Sequence, residues 1–319
     1  MTDLQLAESG LALSTSWKNS SPEGIGAVLD AIHDLGFRRV ELSYLRSGHL
    51  PELRSALEAR ELVVQSIHSP LPSRIDVVLP GLPSGNSYAL ADPDEATRRG
   101  AVDWARWTID WAARLGARAV VVHLGSLAAP TPQRTLFDLL RQAAGDSRVE
   151  EFVAARDRAL AEREARKGPY LAAALRSARE IGEHALEKEV AIGVETRDGY
   201  NEIPSLDELD EVFAATSGLP VYYWHDVGHA EKQRLLGIAP REAYLTRHAA
   251  RLVGVHLHDS IFDRDHFAPG RGETDLAAIA PLIPPTALRT LELNSSNTPD
   301  EVRAGADLLL RLGLAGAGG

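Results

Sequence analysis

The chain has 319 residues, enough for one large α/β domain or two ordinary ones. Its net charge of −11, from 34 basic and 45 acidic residues, argues against a nucleic acid as the default partner. Cysteine is absent, which excludes disulfides and thiolate metal sites and leaves His, Asp and Glu as the metal ligands on offer.

Strand-like and helix-like patterns alternate along the chain. The strand candidates are short apolar runs, at Leu11–Trp17, Arg39–Tyr44, Leu62–His68, Ala117–Leu124, Val190–Glu195, Val221–Trp224, Leu252–His258 and Leu288–Leu293. Helical patterns occur at about Pro22–Leu35, Leu50–Arg60, Asp92–Leu115, Leu206–Thr216, Pro240–Arg251, Leu276–Leu282 and Pro299–Leu312. Asp92 is expected to be an N-cap, with Pro93 at the first helical position, after a long polar loop over Ser69–Ala91.

One connection, at about residues 126–189, is much longer than the others. Its Ala-, Arg- and Glu-rich stretches predict helices broken at Gly145-Asp146 and Gly168-Pro169, over Thr135–Ala144, Val149–Ala165 and Tyr170–Lys188. Eight strands followed by helices, with no linker, predict an α/β fold of the (β/α)8 TIM barrel type as a single domain over residues 1–319. A doubly wound sheet is the alternative, but it does not require eight regular repeats.

The segment VYYWHDVGHA, Val221–Ala230, joins a buried strand to polar groups. Asp226 and His229 stand three residues apart after the strand, so both can point into one cleft, and we attribute the turn between them to Gly228. A carboxylate and an imidazole suit a divalent metal ion. A structural Asp–His hydrogen bond explains the pair equally well.

Metal-compatible side chains end six consecutive strands, the third to the eighth. They are His68, His123, Glu195, Asp226 with His229, His256 with His258, and Glu292. Catalytic groups of such barrels lie at the C-terminal ends of the strands, where charged residues are rarely buried without a partner. Because Glu195, Asp226, His256 and Glu292 lie on four adjacent strands, one ion can reach all four.

Other polar residues are weaker candidates. His258 either faces the site or only bonds Asp259, and His225 should face away because its neighbour Asp226 faces inward. Glu41, on the second strand, is expected to form a salt bridge with a neighbouring arginine rather than touch substrate. The histidines in helices and loops are expected at the surface, namely His33, His49, His184 and His248.

The loop after the seventh strand has the sequence DRDHFAPGRG over residues 263–272. Its Pro-Gly-x-Gly turn would fix the loop over the barrel mouth and present His266 with one acidic neighbour inward. A solvated charged loop is the alternative interpretation.

With these residues assembled, the chain resembles the xylose isomerase-like barrel superfamily, which contains sugar isomerases, epimerases and apurinic-site endonucleases. The likeness rests on the segments SIHSP, GVETR, WHDVGHA, VGVHLHD, DHFAPGRG and LEL. In the epimerases one divalent ion is held by residues that match Glu195, Asp226, His256 and Glu292. The resemblance also implies that His229 binds substrate.

The endonuclease branch of this superfamily holds three zinc ions and also uses residues that match His68, His123, His229 and His266. The resemblance makes these histidines, together with Asp265, candidate ligands of further ions. The chain departs from that branch at Arg264, where the endonucleases have an acidic residue, although Asp263 and Asp265 flank it. It also lacks basic, aromatic insertions for gripping DNA, so no nucleic-acid partner is expected.

The leading hypothesis is a metal-dependent isomerase or epimerase of a sugar, cyclitol or related polyol. The ion, Mn, Zn, Mg or Co, would polarise a carbonyl, while Glu195 and Glu292 remove and return a proton. Trp17, Arg197 and His258 are further candidate substrate contacts, and no organic cofactor is expected. A lyase would use the same parts. The alternatives are a phosphodiesterase with two or three zinc ions and a barrel that binds without turnover.

The sequence contains no apolar run near the ~20 residues that a membrane span requires. Its first ten residues, MTDLQLAESG, are acidic and polar, unlike a signal peptide. We therefore expect a cytoplasmic protein with no membrane partner. The oligomeric state is left open, a homo-oligomer included.

Overall fold

Eight parallel strands close into a barrel in the computed structural model, which describes residues 6–18, 24–143 and 148–316. The barrel strands, numbered β1 to β8, are Leu11–Ser14, Arg39–Leu42, Val63–His68, Ala119–Val122, Ala191–Glu195, Val221–Asp226, Leu252–Leu257 and Leu288–Leu291. Each strand pairs with the next along the chain, and β8 returns to β1 with Leu291 opposite Leu13. The predicted (β/α)8 barrel is confirmed, and the doubly wound sheet is wrong.

Helices surround the barrel and bury one side against it. Their bounds are Ile25–Asp34, Leu50–Glu58, Glu95–Leu115, Gln133–Ala143, Val149–Glu187, Glu208–Ala215, Val227–Leu235, Ala243–His248, Leu276–Ile279 and Pro299–Arg311. In the first of them Ile25, Leu29 and Ile32 recur at helical spacing and are buried, which is the pattern of a helix packed on a core. Among the described residues, no helix is long and apolar enough to cross a membrane.

The helix Glu95–Leu115 begins two residues later than predicted. Its N-cap is Asp94, whose side chain accepts a hydrogen bond from the Thr97 N–H at 2.9 Å. Asp92 instead accepts from the Asp94 N–H at 2.8 Å and stabilises the turn before the helix. Both aspartates therefore satisfy backbone donors, but only Asp94 caps the helix.

The helix Val149–Glu187 runs without a break through Gly168 and Pro169, so the predicted interruption there is wrong. Proline removes one hydrogen bond from a helix and crowds the preceding turn. Here apolar residues on both sides of Pro169, such as Ala159 and Ala174, are buried, and their packing holds the two halves in one helix. The predicted starting turn at Pro22, the helix end at Ala144 and the break at Gly145-Asp146 lie outside the described residues.

Two short β-ribbons, which sequence reasoning missed, lie above the C-terminal ends of the barrel strands. Gly125–Ser126 pairs with Glu202–Ile203, and Asp259–Ile261 pairs with Arg264–Phe267. The second ribbon forms part of the predicted loop after β7. Asp259 fixes that loop, because its Oδ1 accepts from the Thr274 N–H and its Oδ2 from the Gly270 N–H, both at 2.9 Å.

Two histidines pack outside the barrel wall. His225 faces away from the barrel interior, as predicted, and its Nδ1 forms a hydrogen bond with the Tyr223 hydroxyl at 2.5 Å. His248 was expected at the surface, but it is buried against the rings of Tyr223 and Phe213. The helical pattern around His248 gave no indication that this face packs on the outward side chains of β6.

The barrel interior is filled by the Trp224 side chain, which contacts the His256 ring edge-on, with 5.1 Å between ring centroids. Glycines on the neighbouring strands make room for the indole. A Cβ at Gly254 would lie 2.2 Å from Trp224 Cζ3, and one at Gly193 would lie 2.9 Å from Cε3. These glycines are therefore required by close approach, and Trp224 supports the barrel mouth from below.

Replacing Gly254 with alanine is expected to lower the free energy of unfolding by about 1–3 kcal/mol, the usual cost of overpacking. The added methyl would overlap the Trp224 ring, so the ring or the strand would have to shift. Urea denaturation of wild type and variant measures the difference. Gly168→Ala is the control, because its new Cβ would meet nothing within 4 Å. Equal losses in both variants would contradict the proposed packing.

Candidate metal centre

The strands β3 to β8 bring polar side chains together at the C-terminal mouth of the barrel. His68, Glu195 and Asp226 are the last residues of their strands, and His256 lies within β7. His123, His258 and Glu292 directly follow β4, β7 and β8. Because side chains alternate along a strand, residues two positions apart, such as Trp224 and Asp226, share the inward face.

Four buried side chains form the central cluster, namely Glu195, Asp226, His256 and Glu292, with ligand atoms within 4.8 Å of one another. The Nδ1 atom of His256 lies 2.6 Å from Glu195 Oε1, 2.9 Å from Glu292 Oε2 and 3.6 Å from Asp226 Oδ2. A single imidazole N–H cannot satisfy three buried carboxylates. Three carboxylates and one imidazole are, however, a suitable donor set for a divalent cation.

The carboxylates of the central cluster keep their negative charge. Burial raises the pKa of each, but the neighbouring histidines outweigh it and hold the pKa well below its usual range. His123 is the strongest of these neighbours for Glu195, and His256 for Glu292. The cluster therefore offers anionic oxygen ligands at neutral pH.

Glu41 supports this cluster from the opposite side of His256. It is 0 % exposed, its Oε2 accepts from the Ser66 hydroxyl at 2.7 Å, and both its oxygens lie 3.1 Å from His256 Nε2. The predicted salt bridge to an arginine is wrong, because Glu41 points into the barrel. A carboxylate on the far nitrogen fixes the imidazole so that Nδ1 faces the other carboxylates.

Replacing Glu41 with glutamine is expected to weaken divalent-metal affinity by about 10- to 100-fold, the usual effect of losing such a supporting carboxylate. The amide keeps the size of the side chain but removes the negative charge that orients His256. Metal titration by calorimetry measures the change, with the exposed Glu58→Gln as control. Unchanged metal affinity in Glu41→Gln would show that the contact between Glu41 and His256 does not contribute to metal binding.

A second cluster consists of His68, His123 and the other oxygen of Glu195. His123 Nε2 lies 2.5 Å and His68 Nε2 3.8 Å from Glu195 Oε2. His68 Nδ1–H donates to the Ser69 carbonyl at 3.1 Å, which leaves Nε2 as the ligand nitrogen. Burial and then Arg197 lower the pKa of His123 to about 3, so its ring is neutral and able to bind a metal.

A third group surrounds His229 on the other side of the mouth. His229 Nδ1–H donates to the Thr196 carbonyl at 2.8 Å, and its Nε2 lies 3.9 Å from Asp265 Oδ2. The Lys232 ammonium lies 2.6 Å from that Asp265 oxygen and 3.0 Å from Asp198 Oδ2. A fixed positive charge therefore already lies among the acidic groups where another cation would bind.

The ribbon after β7 carries His266 to the same mouth. Its Nδ1 lies 3.0 Å from Asp265 Oδ1, its Nε2 3.4 Å from Glu292 Oε2, and its ring stacks on His258 with centroids 4.3 Å apart. His266 has φ 61°, an uncommon conformation for a residue other than glycine. Arg264 is exposed and lies over the Phe267 ring, so it does not reach the cluster.

The predicted substrate contacts Trp17, Arg197 and His258 expose little surface. His258 is buried, its Nε2 lies 3.0 Å from an Asp226 carboxylate oxygen, and its Nδ1 accepts from the His266 N–H. Arg197 donates to the carboxylate of Glu195, and the Trp17 indole, 2 % exposed, donates to a backbone carbonyl. The three side chains therefore bond to other residues around the barrel mouth. Their direct contact with substrate stays a prediction.

Gly228 lies inside the helix Val227–Leu235 and not in a turn, which corrects the predicted reason for this glycine. A Cβ there would lie 2.2 Å from Cε1 of His258. Asp226 is the N-cap of the helix and accepts from the His229 N–H at 2.8 Å. In the sequence DVGH, Asp226 thus caps the helix, and Gly228 leaves room for the His258 ring.

Two tyrosines at the mouth were not predicted. Tyr44 and Tyr88 line a cavity of about 20 Å³ beside His68 and His123, which is room for about one water molecule. Both are about half exposed, and Tyr44 has φ 55°. The position of Tyr44 just beyond β2 was the available signal, since groups at strand ends face the mouth.

The comparisons with known proteins agree with this fold. Residues 29–312 match the family model described as xylose isomerase-like TIM barrel. Similar solved structures include L-ribulose 3-epimerase, with 18 % identity, a TM-score of 0.65 and coverage of 95 % of this chain and 94 % of that chain. The 3-keto-D-glucoside 4-epimerase YcjR of E. coli has 15 % identity, a TM-score of 0.63 and coverage of 95 % and 98 %.

A D-psicose 3-epimerase structure has 13 % identity and a TM-score of 0.65, covering 96 % of this chain and 99 % of that chain. The uncharacterized protein y4fM of Sinorhizobium fredii is 33 % identical over 117 residues, which is 36 % of this chain and 36 % of that protein. At these identities the structures show a shared fold, whereas the family match spans every strand from β2 to β8. The chain therefore belongs to the family of xylose isomerase-like TIM barrels.

Proposed function

We propose that the protein is a divalent-metal-dependent isomerase or epimerase that acts on a sugar, a cyclitol or a related polyol. The observation that carries the proposal is the central cluster, in which three buried, ionised carboxylates converge on one imidazole nitrogen. The three solved relatives named above are sugar epimerases by their names, which supports the same class of reaction.

Glu195, Asp226, His256 and Glu292 would hold the ion, which we expect to be Mn, Zn, Mg or Co. When bound, a divalent ion supplies a Lewis acid that polarises a substrate carbonyl and acidifies the neighbouring C–H. His256 is held for this purpose between Glu41 and the carboxylates. The four ligand candidates are themselves buried, so little water reaches them.

Glu195 and Glu292 are the proposed acid–base pair. Glu195 comes from β5 and is positioned by Arg197 and His123, whereas Glu292 follows β8 beside His266. The two carboxylates therefore approach the centre from different sides of the barrel. Removal of a proton by one and its return by the other, on the opposite face of the carbon, would invert that carbon.

The proposal is tested by incubating the protein with ketoses, keto-glycosides and cyclitols and recording the products by NMR. We expect an epimer or isomer of one substrate, loss of turnover after treatment with a chelator, and recovery when a divalent ion is restored. Turnover that survives complete metal removal would contradict the metal dependence. Release of a hydrolysis product from a phosphodiester would favour the second candidate.

That second candidate is a phosphodiesterase, in which bound zinc ions would supply the activation of water for hydrolysis of a phosphodiester. The cluster of His68, His123 and Glu195 favours it, because it offers ligands for a second ion. The Lys232 ammonium counts against a third ion, since it neutralises Asp198 and Asp265 beside His229. Metal analysis separates the candidates: about one ion per chain supports the isomerase, and two or three support the hydrolase.

A further inference from the structure

A pocket of about 220 Å³ lies at the end of the barrel opposite the metal centre. Its lining residues Gly10, Arg39, Arg118 and Leu288 stand at, or directly before, the first residues of β1, β2, β4 and β8. The pocket is therefore the floor of the barrel, and none of the candidate metal ligands lines it. We call it the floor pocket and define it by the side chains of Arg39, Gln65, Arg118 and Arg289.

The floor pocket is positively charged in an otherwise acidic protein. Three arginines line it, and no Asp or Glu is among its lining residues in the described part of the chain. The chain as a whole has a net charge of −11. A cationic pocket of this kind attracts a small anion by Coulomb forces and concentrates it locally.

Arg289 gives the strongest indication of an anion. It is 4 % exposed, and its terminal nitrogens donate only to the backbone carbonyls of Pro284, Pro285 and Ala287, at 3.0, 3.1 and 2.5 Å. Within residues 6–18, 24–143 and 148–316, its Nε–H has no hydrogen-bond partner and no carboxylate pairs with it. A buried charge without a counter-ion is costly, and burial accordingly lowers the pKa of Arg289.

Arg118 and Gln65 form the opposite wall of the floor pocket. The Arg118 N–H donates to the Gln65 carbonyl at 3.0 Å, and the Gln65 amide donates to the Arg289 carbonyl at 3.0 Å. The Arg118 side chain is exposed, and among the described residues its guanidinium forms no hydrogen bond or ion pair. It can therefore turn toward a ligand without breaking another contact.

We propose that the floor pocket binds one small oxyanion, a phosphate group that is either free or carried by a small metabolite. Guanidinium groups present parallel N–H donors that match two oxygens of a phosphate, and several of them around one ion balance its charge. The pocket is smaller than the ~300–1,000 Å³ typical of sites for drug-sized ligands, which fits a single small ion. The bound anion would supply the counter-charge that Arg289 lacks among the described residues.

The test is calorimetric titration of the protein as purified with inorganic phosphate at constant ionic strength. Wild type should show one saturable site with a Kd of about 1 mM or tighter. Arg118→Gln should bind phosphate at least about 10-fold more weakly, since one charge-assisted contact is lost. The control Arg179→Gln, which changes an exposed arginine on the helix Val149–Glu187, should bind like wild type.

If phosphate bound at the metal centre instead, its affinity would be the same in wild type and Arg118→Gln. A weaker affinity in Arg118→Gln therefore locates the bound phosphate in the floor pocket. Arg289→Lys is a second variant, and weaker phosphate binding is expected if the variant melts like wild type without phosphate. Absence of a saturable site in wild type, or equal binding by wild type and Arg118→Gln, would overturn the proposal. A parallel titration with glycerol phosphate distinguishes the sources: tighter binding indicates a metabolite, and weaker binding indicates the free ion.

Discussion

Glu292→Gln is expected to lower turnover by roughly 10² or more, the usual contribution of a general base. Glutamine has the shape of glutamate and an oxygen to offer, but it cannot accept a proton from a C–H group. The Glu292 carboxylate is buried and lies 2.9 Å from His256 Nδ1, so the change is confined to the proposed acid–base position. Substrate affinity should be largely retained, because three unaltered ligand candidates remain at the centre.

The measurement is kcat and KM of wild type and Glu292→Gln on the first substrate that shows turnover. Glu273→Gln is a matched control, because Glu273 is exposed on the loop after β7 and lies outside the clusters. We expect a fall in kcat with a nearly constant KM for Glu292→Gln and no change for Glu273→Gln. A Glu292→Gln enzyme within a few-fold of wild type would remove this residue from the proton transfer.

Asp226→Ala is expected to abolish binding of the main ion. Asp226 Oδ2 lies 3.6 Å from His256 Nδ1 and directly faces the centre, and a ligating carboxylate has no substitute there. By contrast, His68→Ala should keep the main ion and change the total metal content or substrate affinity, because His68 belongs to the second cluster. Elemental analysis of the purified variants gives the number of ions per chain.

Asp226 also accepts from the His229 N–H, so its loss could disturb the fold as well as the site. Asp226→Asn, which keeps an oxygen for this cap, is therefore measured beside the alanine variant together with its thermal unfolding. We expect Asp226→Asn to fold like wild type and still lose most of the metal. Equal loss of all metal in folded Asp226→Asn and His68→Ala would contradict the separate roles of the two clusters.

The barrel and the strand-end residues followed from the sequence because both depend on local patterns. Short apolar runs alternate with helical periodicity, and inward-facing polar residues at the C-terminal ends of parallel strands gather at the barrel mouth. Glu195 and Asp226 were identified in this way. The (β/α)8 rule then placed residues distant in sequence at one site without any knowledge of the side-chain contacts.

The residues that the sequence missed depend on partners brought close by the closed barrel. Glu41 bonds His256, 215 residues away, so nothing near Glu41 in sequence indicates its role. Lys232 lies three residues after His229 in a helix, a spacing that does place both on one side, but its acidic partners come from other loops. The unbroken passage of the helix through Pro169 similarly depends on packing along its length.

The most direct test of the proposed proton transfer is incorporation of deuterium into the substrate during turnover in D2O. The proposal predicts deuterium at the carbon whose configuration changes, and loss of this exchange together with turnover in Glu195→Gln and Glu292→Gln. Wild-type turnover with neither solvent exchange nor a kinetic isotope effect at that carbon would contradict proton abstraction. Metal-dependent hydrolysis would then be the better explanation of the site.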